Sequence, residues 1–195
     1  MKLPSNKLSI LEALLFAAEE PLAAADVLEF CAEFANTGEV EEGVGELNRQ
    51  YAEGGRAFKV RQVAGGFQLC TLPEFAPFVS ALVSKTRTQR LSRAALETLS
   101  IVAYRQPVSK PVIEKLRGVE SSGVLSTLLE RKLVAIVGRE EGLGRPLLFG
   151  TTPEFLSYFG LNDLAELPKP EEVAPPVGQE VTSPPGGAAQ PAGAP

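Results

Sequence analysis

The feature that most limits how this chain can fold is an order of elements that occurs twice. Leu8, Leu11, Leu14, Leu15 and Ala18 recur at helical spacing and predict an amphipathic first helix. Pro21 interrupts it, and residues 23–31 predict a second helix that turns Val27, Leu28 and Cys31 toward a core. Asn36, Thr37 and Gly38 read as a loop. A third helix, roughly residues 40–51, presents Val44, Leu47 and Tyr51 on one face before Gly54 and Gly55 end it. Residues 58–63 and 67–71 then alternate around Ala64, Gly65 and Gly66, which is a hairpin signal. Residues 73–83 look like a connecting helical segment, followed by the basic, polar link "SKTRTQRLS".

At Arg93 the same plan restarts. Leu96, Leu99, Val102 and Ala103 share one helical face that stops at Pro107. Ser109 is the expected N-cap of the next helix, with Pro111 in its first turn and Gly118 closing it. Ser121 or Ser122 caps a third helix, residues 121–133, with Val124, Leu125, Leu128, Leu129 and Leu133 as its buried stripe. Residues 134–138 and 146–151 form the second hairpin, expected to pack on the core through Val134, Ile136 and the apolar "PLLF". The repeat is also faintly visible residue by residue: Leu11-Glu12 followed by Pro21-Leu22 parallels Leu96-Glu97 followed by Pro107-Val108. The fold class predicted is mainly α with small β-hairpins, arranged as two tandem winged helix-turn-helix domains, residues 1–84 and 85–167. Residues 168–195 hold half of the sixteen prolines among Ala, Gly and Glu, and read as a disordered tail.

Charge and composition narrow the function. Residues 1–84 carry six basic and twelve acidic side chains, residues 85–167 twelve and nine, and residues 168–195 one and three. Only the middle part has a positive balance, a weak footprint for nucleic acid. The chain has no histidine, which removes the side chain most used for acid–base work near neutral pH. Cys31 and Cys70 lie at no metal or redox spacing and are expected to be ordinary buried thiols. The N-terminal "MKLPSNKLSILEALLFAAEE" superficially resembles a signal peptide, but Glu12 interrupts its apolar run. With no run near the ~18 apolar residues of a membrane span, the expectation is a soluble, cytoplasmic protein without cofactor or metal.

The stretch "VGREEGLGRPLLFGTT" poses the sharpest question, because its glycines suggest a phosphate loop. A Walker-type loop needs Gly-Lys-Ser/Thr opening a helix, and a dinucleotide fingerprint needs a following helix; here the following "RPLLFG" is strand-like. The expectation is a turn in which Gly142 and Gly144 adopt positive φ, with Arg139 and Arg145 flanking its tip. Direct DNA readout is also disfavoured. The third helix of the second domain has no Asn or Gln, and its basic pair, Arg131 and Lys132, comes at the C-terminal end. Glu140 and Glu141 sit at a solvated hairpin tip, where carboxylates keep ordinary acidity, so no catalytic role is assigned to them.

Residues 91–168 resemble the bacterial segregation and condensation protein B family. The motifs that carry the resemblance are "AYRQP", "IEKLRGV", "GVLSTLLER" and "GRPLLFGTTPEFLSYFGL" with its closing "LP", and the first domain agrees in its "ILEALLFA…EPL" opening. The resemblance implies a non-enzymatic accessory subunit of the chromosome-condensation complex, acting in chromosome segregation at the nucleoid. It implies a homodimer formed mainly through the N-terminal domains and gripped by the central segment of a kleisin. The kleisin in turn bridges the heads of an SMC ATPase, so that ATP hydrolysis belongs to the partner. The contact residues implied are Tyr104, Arg105, Gln106, Arg117, Arg145, Phe149 and Thr151, with Phe149 and Tyr104 equally readable as packing residues. The competing reading is a winged-helix transcriptional regulator placing Arg87, Arg90, Arg93 and the hairpin arginines on DNA phosphates, which would bind duplex in a salt-sensitive way.

Overall fold

The computed structural model describes residues 6–83, 90–142 and 144–169. The expected boundary at residues 84 and 85, Arg87 and the tail from residue 170 onward lie outside the described residues. Within them the protein is mostly helical with two small antiparallel sheets.

In the first half, α1 (Lys7–Ala17) begins where the Asn6 side chain accepts a hydrogen bond from the Leu8 amide at 3.1 Å. Next come α2 (Ala24–Phe30) and α3 (Thr37–Glu53). The expected loop at Thr37 and Gly38 is instead the first turn of α3, because Asn36 caps the helix by accepting from the Glu39 amide at 3.0 Å. The three helices bury Leu11, Leu15, Val27, Cys31, Val40, Val44, Leu47 and Tyr51 against the inner side of β1 (Phe58–Val63) and β2 (Gly66–Thr71). Asn48 fixes α3 to β1 by donating to the Val60 carbonyl at 2.9 Å and accepting from the Val60 amide at 2.8 Å. Leu22 pairs with Phe67 in an isolated antiparallel bridge on the other side of β2. A 3-10 turn (Pro73–Phe75) then leads into α4 (Ala76–Val83), which buries no residue.

The second half repeats this order with a larger sheet. It contains α5 (Arg93–Arg105), β3 (Val108–Ser109), α6 (Lys110–Arg117), α7 (Ser122–Glu130), β4 (Val134–Arg139), β5 (Leu147–Thr151) and α8 (Pro153–Phe159). The strand order is β3-β5-β4, all antiparallel. Its core joins Leu99, Val102, Val108, Ile113, Leu125, Leu128, Val134, Phe149 and Phe155.

Several sequence expectations need correction here. Leu96 is 43% exposed, and Ala95 and Thr98 take its place, since α5 turns that stripe toward α7 and β5. Ser109 is the N-cap residue of α6 as expected, but it makes no side-chain cap bond and is buried in β3. The third helix stops at Glu130 rather than 133, and Lys132 in the following turn has φ 56°. The second hairpin packs on the core only at its base. Ile136 and Val137 are 51% and 56% exposed, and the register shifts between Ile136 and Gly138, the signature of a bulge that redirects the strand. Cys31 is buried but Cys70 only half-buried, and both are free thiols.

The two halves touch through the first hairpin's turn. The Ala64 amide donates to the Leu161 carbonyl at 2.8 Å, the Gly65 amide to Asn162 Oδ1 at 3.0 Å, and Arg61 Nη2 to the Gly160 carbonyl at 3.3 Å. Among the described residues no helix is long and apolar enough to cross a membrane.

Candidate functional site

The seven residues singled out in the sequence do not converge on one surface. Gln106, Phe149 and Thr151 come together, but they face one another across the end of α5. Gln106 Oε1 accepts from the Thr151 amide at 2.7 Å and from Thr151 Oγ1 at 3.1 Å, while its Nε2 donates to the Ala103 carbonyl at 3.3 Å. Phe149 is in the core beneath, in register with Val108. Arg117 is also turned inward: its side chain is 7% exposed, pairs with Glu97 at 3.6 Å and donates to Ser121 Oγ at 3.0 Å. These contacts tie α6 to α5 and to the start of α7. The remaining three are accessible. Arg105 ends α5, Arg145 stands in the turn between β4 and β5 at φ 38°, and Tyr104 is half-exposed while its hydroxyl donates to the Pro168 carbonyl at 2.6 Å.

The turn between β4 and β5 is no phosphate cradle. Gly142 and Gly144 have φ 118° and 80°, and the Glu140 amide donates to the Pro146 carbonyl at 2.9 Å, so the glycines serve chain reversal between two strands. Among the described residues no group of three or more His, Cys, Asp or Glu is placed to hold a metal ion. Beside α7, Lys110 pairs with Glu114 at 3.4 Å and Glu120 at 3.5 Å. Hydrogen bonds from Ser122 hold the Glu120 carboxyl below the usual carboxylate range. These basic and acidic groups are matched to each other.

Two largely apolar grooves open on the surface. A groove of about 560 Å³ runs along the first half between α1, the end of α3 and the hairpin, lined by Ser9, Glu12, Ala13, Phe16, Leu69 and Thr71 among others. Phe16, at its rim, is 83% exposed. At its floor, Tyr51 donates to Glu12 Oε1 at 3.0 Å, and burial together with that carboxylate pushes the Tyr51 phenol up to about 12. A second groove of about 280 Å³ lies between α5 and α8, lined by Leu96, Tyr104, Phe155, Phe159, Leu161 and Leu167. The sequence reading missed both. Phe16 falls outside the 8-11-15 stripe of α1, a signal that it faces out, yet its neighbours come from α3 and β2 and no local spacing announces them.

A family model described as "Segregation and condensation complex subunit ScpB" matches residues 9–170. A segregation and condensation protein B from Moorella thermoacetica is 51% identical over 169 residues, covering 87% of this chain and 85% of the relative. Another from Desulforamulus reducens is 46% identical over 167 residues, covering 84% of this chain and 89% of the relative. Among solved structures, a dimer of an ScpB N-terminal domain complexed with an ScpA peptide is 30% identical, over 39% of this chain and 93% of that one, at a TM-score of 0.35.

Proposed function

The chain belongs to the family of segregation and condensation complex subunit ScpB, and we propose that it serves as a non-enzymatic accessory subunit of an SMC–kleisin condensin complex. It acts as a homodimer bound to the central segment of an ScpA-like kleisin, through which it reaches the SMC ATPase at the nucleoid. The observation that carries this reading is the family match across residues 9–170, which takes in both halves of the chain.

The two halves act as tandem winged-helix domains, residues 1–84 and 85–167, the first for dimerisation and the second for partner binding. The repeated order of three helices and a hairpin supports this, as does the third strand that β3 adds beside β5. Of the seven family-derived positions, Tyr104, Arg105 and Arg145 are proposed as direct contacts. Gln106, Arg117, Phe149 and Thr151 support them by holding α5, α6 and β5 in place.

The test is calorimetry of the full chain against the central kleisin segment from the same genome at near-physiological salt. Light scattering gives the mass, and duplex DNA is titrated in parallel. The expected result is micromolar or tighter kleisin binding at one kleisin per protein dimer, with weak DNA binding. Tight, salt-sensitive DNA binding without kleisin binding would overturn it in favour of a DNA-binding regulator.

A further inference from the structure

The two halves treat the same strand edge differently. In the second half, β3 pairs with β5 on the edge away from β4, Val108 opposite Phe149. The next outward-facing amide of β5, that of Thr151, is taken by the Gln106 side chain. In the first half Leu22 stands where Val108 does, opposite Phe67, after the matching dipeptides Glu20-Pro21 and Gln106-Pro107. Leu69 therefore corresponds to Thr151, and Glu20 to Gln106. Glu20 is exposed and makes no corresponding bond to Leu69 among the described residues.

The direction of the Leu69 backbone follows from its partner. Val60, opposite Leu69, has both backbone groups engaged by Asn48 on the far side of β1. Val60 and Leu69 are consequently a non-hydrogen-bonded pair, and the Leu69 amide and carbonyl point away from β1, as those of Phe67 do toward Leu22. Thr71, two residues on, has the same sense. Among the described residues neither Leu69 nor Thr71 has a partner on that side, and both line the groove against Ser9, Glu12, Ala13 and Phe16 of α1.

We propose that the outer edge of β2 is a strand-docking site, where an extended segment of the kleisin pairs antiparallel with Leu69 and Thr71 and lays alternate apolar side chains into the groove against α1. This rests on the partner assigned under the proposed function, and it adds a kleisin contact on the first half to those proposed on the second. An extended occupant fits because the groove wall carries free amides and carbonyls; a helix satisfies its own backbone and would leave them unpaired. The bridge to Leu22 demonstrates pairing on this edge one step earlier. Glu12 is exposed and lines the groove, so the occupant brings a lysine or arginine next to its apolar positions.

Amide hydrogen exchange of the full chain by NMR, with and without the kleisin central segment, tests this site. Leu69 and Thr71 are expected to slow about tenfold or more on saturation, while Gln68 and Cys70, already paired with β1, are slow in both states. Ala13→Arg, an exposed change that fills the groove, is expected to weaken binding at least tenfold with an unchanged melting temperature. If the kleisin binds but Leu69 and Thr71 stay unprotected, the site is overturned while the accessory-subunit reading stands. Protection of both amides in the free dimer would likewise overturn it, because the edge would then be taken by a second copy. Absence of any kleisin binding removes the functional reading itself.

Discussion

Gln106 holds one carboxamide oxygen against two donors of Thr151, and the strand end depends on it. Gln106→Ala leaves a half-buried backbone amide without its acceptor, a loss of about 1–3 kcal/mol, to be read as a lower midpoint in urea unfolding. Tyr51 is a second sensitive residue. Its phenol, pushed to about 12 in the folded protein, ionises near ~10 in the unfolded chain. The unfolded state therefore releases its proton first, and the stabilisation present below ~10 is lost as pH rises from ~10 to about 12. Tyr51→Phe is expected to cost about 1 kcal/mol near neutrality and to flatten that alkaline loss relative to the parent. Unfolding midpoints of both proteins across alkaline pH decide it. Both residues were named in the sequence reading, Tyr51 as one face of a helix and Gln106 as a contact. Their partners, Glu12 and Thr151, lie 39 and 45 residues away, and no local pattern joins them.

At the scale of elements, the most constrained contact is the close approach of β2 to the segment after α1. A Cβ placed on Gly66 would meet the Pro21 carbonyl carbon and oxygen at 2.8 Å, both rigid backbone atoms. Gly66→Ala is expected to cost about 1–3 kcal/mol by pushing β2 off Leu22, checked by thermal melting and by loss of amide protection at Phe67. The second hairpin behaves oppositely beyond its base. Val137 is the exposed extra residue of the bulge, so Val137→Thr is expected to change stability by less than about 0.5 kcal/mol. The alternation that marked residues 134–138 as a strand was readable, since strand geometry alone enforces it. The bulge and the exposure were not, because a one-residue register shift depends on the partner strand.

For the whole molecule, three hydrogen bonds join the halves among the described residues, from Arg61, Ala64 and Gly65 of the first hairpin to the residues after α8. The double substitution Arg61→Ala, Asn162→Ala removes two of them and is expected to enlarge the radius of gyration in small-angle scattering, while each half keeps its own melting transition. Each half has its own buried cluster, and the bonds between them lie at its edge. The chain by itself determined α1 to α7, the two hairpins, their repetition and the family, because periodicity, caps and glycine or proline punctuation act within a few residues; α8 and β3 were not read from it. Tertiary structure alone decided that Gln106 and Arg117 are held inward, that Leu96 faces a groove, and that the edge of β2 is left open where that of β5 is closed. Those outcomes depend on which groups meet across the fold, and hydrogen-bond satisfaction and burial between distant segments are not written in any local spacing.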